Sequence, residues 1–238
     1  MGNSKMIRSA LLVALCLLAG FGGAAAFAWS GLGDRQVEKY LLANPDLLPR
    51  MVQAYERQQA EQKLSSAGAD LREPFAGAVL GNPAGTRTLI KFTDYNCGYC
   101  RASSAEVAKL VAQDPDLKVI IREWPIFEGS ERVASMALAA AKQGKYSAFH
   151  SAVFAGGDTS EAGLKAAAQA SGVDFDQAVK DAGDPQIAYE LARNTAMAQE
   201  LGFTGTPSWV IGDTILEGAV PAEALSEALS NSGQSGTS

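Results

Sequence analysis

Thr88-Leu89-Ile90-Lys91-Phe92-Thr93, followed three residues later by Cys97-Gly98-Tyr99-Cys100, decides how this chain is read. The apolar run reads as a strand, and the cysteine pair as the opening of the helix behind it. Two cysteines three apart on the first turn of one helix bring their sulfurs close enough to close a small, reversible disulfide ring. A helix start also favours an anion, through unpaired backbone N–H groups and the positive end of the helix dipole. The thiolate is the nucleophilic form, so Cys97 at the helix mouth is the expected attacking sulfur and Cys100, one turn in, the resolving one. A zinc site would need four ligands, and the chain offers only Cys16 and its single histidine, His150, besides this pair. A purely structural disulfide normally closes a longer loop. The pair is therefore read as a thiol–disulfide redox centre, with no metal and no organic cofactor.

The composition is that of an exported globular protein. The 238 residues are 47% hydrophobic and carry a formal net charge of −6, which sets nucleic acid aside as a partner. Lys5 and Arg8 precede an uncharged stretch from Ser9 to Gly33 that fades from Leu11–Leu18 into Gly and Ala and ends Ala26-Phe27-Ala28. Residues 1–28 read as a signal peptide cut after Ala28, or as a retained signal anchor, since the uncharged stretch is long enough to span a bilayer. Either outcome places Cys97 outside the cytoplasm, in the periplasm or its equivalent.

Residues 29–70 read as a helical extension and linker. Val37, Tyr40 and Leu41 share one helical stripe, and Leu48, Met51, Val52 and Tyr55 repeat it after Asn44-Pro45, where Asn can cap and Pro can begin a helix, with Pro49 as the later start for the second helix. The polar run from Arg57 to Asp70 reads as a helix tail and a linker. Two amphipathic stripes ahead of a linker predict that residues 33–63 join copies of the chain into a homo-oligomer. From Phe75 the order is a short strand at Ala78-Val79-Leu80, the strand through Phe92, the cysteine helix to about Ala112, and a strand from Leu117 to Glu123. Helices are then expected from Ser130 as cap to Gly144, across Tyr146–Val153, and over Ser160–Ser171, Asp174–Ala182 and Pro185–Leu201. Trp209-Val210-Ile211 and Thr214-Ile215-Leu216 flank the turn Gly212-Asp213, a helix spans Pro221–Leu229, and residues 231–238 form a disordered tail.

Phe92-Thr93-Asp94-Tyr95-Asn96-Cys97-Gly98-Tyr99-Cys100 resembles the active-site signature of DsbA-like thioredoxin-fold proteins, and Gly205-Thr206-Pro207-Ser208-Trp209-Val210 resembles their cis-proline segment. Arg122 to Ile126, Gly144 to His150 and Tyr40-Leu41-Leu42-Ala43-Asn44-Pro45 are similar to segments of the suppressor-of-copper-sensitivity C and Com1-like branch, whose N-terminal extension can oligomerise the protein. The resemblance implies an α/β thioredoxin fold over residues 71–230, with a helical insertion at about 130–202 and an α-helical extension before it. It implies substrate proteins that contain cysteine, and a membrane redox partner that is a DsbD- or ScsB-like reductant or a DsbB-like oxidant. It also implies that Pro207 is cis and that Thr206 lies beside the sulfurs to pair with an extended substrate chain. Without the resemblance, Pro207 reads better as a trans turn proline opening a strand.

Two departures from the family pattern matter. Gly98-Tyr99 offers no charge between the cysteines, where oxidising relatives often carry His. Position 91, which commonly holds an acid in such folds, is Lys91: it could favour a thiolate if charged, but the preferred reading is a side chain snorkelling from a strand edge. His150 on an apolar helical stripe reads as a hydrogen-bonded core histidine, with a pH-sensitive contact to the redox site as the alternative. Asp94 and Tyr95 read as shaping the turn into the cysteine helix. The expected function is exported disulfide exchange and isomerisation. The alternatives are a dithiol oxidase and, in another class, an oligomeric holdase to which the cysteines contribute little.

Overall fold

A computed structural model describes residues 3–29 and 32–232. The chain divides into two units, Met1–Glu56 and Arg57–Ser238. The first holds helices α1 (Asn3–Trp29) and α2 (Leu32–Ala43) and the start of α3 (Leu47–Ala67). Pro49 is the third residue of α3, within the first turn, where its missing N–H has no intrahelical acceptor to lose. Val37, Tyr40, Leu48, Met51 and Tyr55 are all exposed. Among the described residues no helix is long and apolar enough to cross a membrane.

Of the helix tail and linker expected between Arg57 and Asp70, the helix tail is present and runs on to Ala67. Residues 58–67 continue α3 without a break, because no Gly or Pro interrupts them before Gly68 and most are good helix formers. Ala60 and Ala67 are buried, and Leu64 packs on the core with Ala67. A 3-10 turn, Ala69–Arg72, completes the connection.

The second unit is built on a five-stranded sheet ordered β1-β3-β2-β4-β5, from β1 (Val79–Gly81), β2 (Arg87–Thr93), β3 (Leu117–Glu123), β4 (Ser208–Ile211) and β5 (Thr214–Glu217). Strands β2 and β3 run parallel, joined by α4 (Gly98–Gln113), and Lys91 pairs with Ile121 and Thr93 with Glu123 in their register. Helices α5 (Ser130–Lys142), α6 (Tyr146–Gly156), α7 (Glu161–Ser171), α8 (Phe175–Asp181) and α9 (Pro185–Glu200) intervene before β4, and α10 (Ala222–Ser232) follows β5. Asn231 and Ser232, expected in the tail, belong to α10; residues 233–238 lie outside the described residues.

Strand alternation sorts the core onto two faces. Leu89, Val119, Ile121, Trp209 and Ile211 pack with α4, α5, α6 and α10. Ile90, Phe92, Ile120 and Val210 pack with Ala67, Met197 and Leu201 from α3 and the α9 end. The expected cap Ser130 is the first residue of α5, and the cap position is Gly129, at a left-handed φ of 77° that suits glycine. The Ser130 hydroxyl is committed elsewhere, to Asp94.

Candidate active site

Cys97 occupies the N-cap position of α4, and Cys100 lies in its first turn. Both thiols are free and both residues are buried, while Tyr99 between them is 70% exposed. The Cys97 thiol donates to the Thr206 carbonyl at 3.2 Å, and the Thr206–Pro207 peptide bond is cis. Thr206 and Pro207 therefore lie beside the Cys97 sulfur although 109 residues separate Cys97 from Thr206 in the chain. The backbone N–H of Asp94 reaches the Cys100 sulfur at 3.5 Å. Burial pushes the Cys100 thiol up to about 11, opposed by the hydroxyls of Thr206 and Thr93, by that N–H and by Lys91.

Asp94 does more than shape a turn. Its buried carboxylate accepts from the backbone of Asn96 at 2.7 Å, Ile126 at 2.7 Å and Phe127 at 3.0 Å, and from Ser130 Oγ at 2.6 Å. One side chain thus ties the turn before Cys97 to the loop after β3, fixing exposed Ile126 and Phe127 in place.

Lys91 contradicts its sequence reading. It lies on the central strand β2 rather than an edge and is fully buried, so no snorkelling path exists. Its Nζ donates to the Cys100 carbonyl at 3.4 Å and lies 5.6 Å and 5.3 Å from the ring centroids of Phe154 and Trp209. Desolvation lowers its pKa to about 8, against the opposing pull of Cys100, Glu123 and Cys97. His150 is buried as expected of a core histidine, but within a polar cluster the sequence reading missed. Tyr95 and Tyr146 donate to Glu123 Oε1 at 2.8 Å and 2.6 Å, and Tyr95 also meets His150 Nδ1 at 2.8 Å. The Tyr95 hydroxyl thus lies between Glu123 Oε1 and His150 Nδ1. Burial holds the His150 pKa well below the usual range, hence neutral, and raises Glu123 to about 8. The signal for Glu123 was present as a lone acid ending one apolar strand beside a lone lysine in the next.

These features meet those of known proteins. The DSBA-like thioredoxin domain matches residues 88–230. A thioredoxin-like oxidoreductase from Silicibacter pomeroyi superposes with a TM-score of 0.63 at 43% identity, covering 66% of this chain and 91% of that one. The chain belongs to the DsbA-like thioredoxin family. This DsbA-like chain also resembles a linker-deletion mutant of Proteus mirabilis ScsC, with a TM-score of 0.67 at 27% identity over 84% of this chain and 92% of that one. A periplasmic thioredoxin-like protein from Salmonella enterica serovar Typhimurium gives a TM-score of 0.61 at 27% identity, covering 70% of this chain and 95% of that one. A curated sequence relative is the Na(+)/H(+) antiporter NhaA 3 of Salinispora tropica, 25% identical over 161 residues, or 66% of this chain. The chain spans about a quarter of the length of the curated relatives it matches.

Proposed function

We propose that this protein is an exported disulfide isomerase that works from an oligomer, acting on cysteine-containing proteins in the periplasm or an equivalent compartment. The observation that carries the chemistry is the placement of Cys97 at the mouth of α4, against the Thr206 carbonyl, with Cys100 one turn behind it. Cys97 attacks a substrate disulfide as its thiolate. A mixed disulfide forms and the substrate's other sulfur leaves as a thiolate, free to attack elsewhere in the same substrate. The substrate thiolate set free by that second exchange attacks the mixed disulfide, displaces Cys97 and completes an isomerisation; attack by Cys100 on the Cys97 sulfur instead completes a net reduction. The oxidised pair then needs a DsbD- or ScsB-like membrane reductant. Thr206 and Pro207 offer the backbone edge on which an extended substrate can lie.

The preference for isomerisation rests on the uncovered apolar residues of α2 and early α3, which a second and third copy could bury. Several active sites around one space raise the effective concentration of a thiol near a misfolded chain. The lysine and arginine ahead of the apolar leader support export. The test removes residues 33–56, stopping short of the part of α3 that packs on the catalytic unit, and compares mass by light scattering with reactivation of a scrambled-disulfide substrate. Loss of oligomer together with reactivation supports the reading. A full-length protein that already runs as a monomer overturns it in favour of a DsbA-type oxidase served by a DsbB-like partner. Aggregation suppression that survives replacement of both cysteines by Ser, with no exchange activity to lose, would favour a holdase.

A further inference from the structure

Two buried hydroxyls beside Cys100, those of Thr93 and Thr206, have no hydrogen-bond partner among the described residues. Thr93 ends β2 and leaves the same face of the sheet as Leu89 and Lys91, because side chains two and four residues apart on a strand share a face. That face lies under the first turn of α4. There Lys91 Nζ meets the Cys100 carbonyl, and the backbone N–H of Asp94, the residue after Thr93, meets the Cys100 sulfur at 3.5 Å. The Thr93 backbone is held in place, since its carbonyl accepts from the Trp124 N–H at 2.9 Å and the residue pairs in register with Glu123. Its side chain is fully buried.

A buried hydroxyl without a partner costs free energy, and Val would occupy the same place on a strand without that cost. What the two hydroxyls share is the Cys100 sulfur, whose anion both favour by side-chain hydrogen bonding. A thiol sulfur accepts hydrogen bonds weakly and a thiolate strongly, so donors that the thiol leaves unused become engaged only while exchange is in progress. We propose that Thr93 is a catalytic residue for the chemistry at Cys100, its hydroxyl donating to the thiolate that forms there whenever the Cys97–Cys100 disulfide closes or opens.

This inference rests on disulfide exchange by the cysteine pair, as in the proposed function, and holds for an isomerase and an oxidase alike. In closing, the Cys100 thiol gives its proton to water and the thiolate attacks the Cys97 sulfur of the mixed disulfide. The Cys100–Cys97 bond forms, the bond from Cys97 to the substrate sulfur breaks, and the substrate leaves as a thiolate that takes a proton from water. Attack and closing together move two electrons from the cysteine pair to the substrate disulfide. In opening, a substrate thiolate attacks Cys97, the Cys97–Cys100 bond breaks, and Cys100 leaves as the thiolate before taking up a proton. Thr93 keeps its own proton throughout. Because the same anion is made in both directions, the hydroxyl speeds both equally and leaves the balance of dithiol and disulfide unmoved. A donor that eases ionisation by about one pKa unit gives about tenfold more thiolate of about threefold lower nucleophilicity, a net gain of about threefold.

The test compares full-length wild type, Thr93→Val and Thr93→Ser. Reduced protein is mixed with oxidised glutathione, quenched with acid at intervals, and its dithiol, mixed-disulfide and disulfide forms are separated by mass. The disulfide form is mixed with reduced glutathione in the same way to time the opening. Thr93→Val should slow both decay of the mixed disulfide to the disulfide and opening of the disulfide by about threefold, while formation of the mixed disulfide by Cys97 and the final equilibrium stay at wild-type values. Thr93→Ser, which keeps the hydroxyl, should restore both rates. In a denaturant melt Thr93→Val should be at least as stable as wild type, since it removes a hydroxyl without a partner. Wild-type rates in Thr93→Val, equal slowing in Thr93→Val and Thr93→Ser, a shifted equilibrium, or a clear loss of stability in Thr93→Val would each overturn the proposal. Should the wild-type cysteines fail to exchange with glutathione at all, the exchange function itself falls; exchange at equal rates in wild type and Thr93→Val sinks the role of Thr93 alone.

Discussion

Arg122 and Lys91 are both fully buried cations on neighbouring strands, one on each face of the sheet, and the protein surrounds them in opposite ways. Arg122 Nη2 faces the carbonyls of Asp70, Leu71 and Glu73 at 2.6, 2.9 and 2.6 Å, and Nη1 meets Glu190 at 2.9 Å and Asn194 Oδ1 at 3.3 Å. Glu190 is engaged on its other oxygen by Arg193 at 3.0 Å. Lys91 has one 3.4 Å hydrogen bond and two aromatic rings. A guanidinium stays charged in proteins, and five acceptors on its two Nη atoms turn Arg122 into a clamp between β3, α9 and the turn leaving α3, although its buried Nε has no partner among the described residues. An ammonium can give up its proton, and sparse pairing leaves Lys91 free to do so beside the cysteines. One face is built for attachment and the other for titration.

The largest effect should come from breaking the clamp. Arg122→Met takes the partner from Glu190 Oε1, leaving Glu190 to Arg193 alone, and removes the donor facing three backbone carbonyls, and should cost about 3–5 kcal/mol in a denaturant melt. Disulfide exchange by the fraction that remains folded should be unchanged. Lys91→Met should show the reverse pattern: about 1 kcal/mol or less in stability, since a sparsely paired buried charge is replaced by an apolar chain of similar length. Resolution of a glutathione mixed disulfide should slow about tenfold, equivalent to about 1.4 kcal/mol, because the Cys100 thiolate loses its buried cation. Comparable stability losses in the two variants would erase the contrast between the faces.

A pH series sharpens the same comparison. Glu123 has a folded pKa raised to about 8 from an ordinary 4.5, so the folded state binds more protons between those values and its contribution to stability is lost as pH rises through 8. His150, held neutral by burial, opposes this only below its ordinary 6.5. Lys91, lowered to about 8 from 10.5, adds stability as pH rises above 8, and Cys100, raised to about 11 from 9, offsets part of that gain above 9. Stability should therefore fall between about pH 6.5 and 8, and that fall should be absent in Glu123→Gln. The smallest effect belongs to Tyr146→Phe. It removes one of the two hydroxyls on Glu123, costs about 1 kcal/mol, and moves the Glu123 carboxyl midpoint upward in a carbon NMR titration of glutamate-labelled protein.

The elements could be read from the sequence, and the polar clusters on the two faces could not. The strand Leu117–Glu123, the cysteine helix and the helical boundaries from Ser160 onward follow from local periodicity, and in the structure Asp174 and Asp184 cap α8 and α9. Lys91 was misjudged because its strand becomes central only when the chain returns at Ser208 to pair on its other side, a contact local pattern does not carry. Glu123 was missed for the same reason: its partners Tyr95 and Tyr146 lie 28 and 23 residues away on other elements. The helix tail runs further than its polarity suggested, to Ala67, because polarity alone does not end a helix and Leu64 and Ala67 had a surface to pack on.

The account stands on Cys97 attacking and Cys100 resolving, and trapping tests that division of labour most directly. Each cysteine is replaced singly by Ser, the variants are incubated with a substrate protein carrying non-native disulfides, and mixed disulfides are counted on a non-reducing gel. Cys100→Ser should accumulate mixed disulfides through Cys97, and Cys97→Ser should accumulate none. Equal trapping by the two variants, or trapping by Cys97→Ser alone, would contradict the assignment.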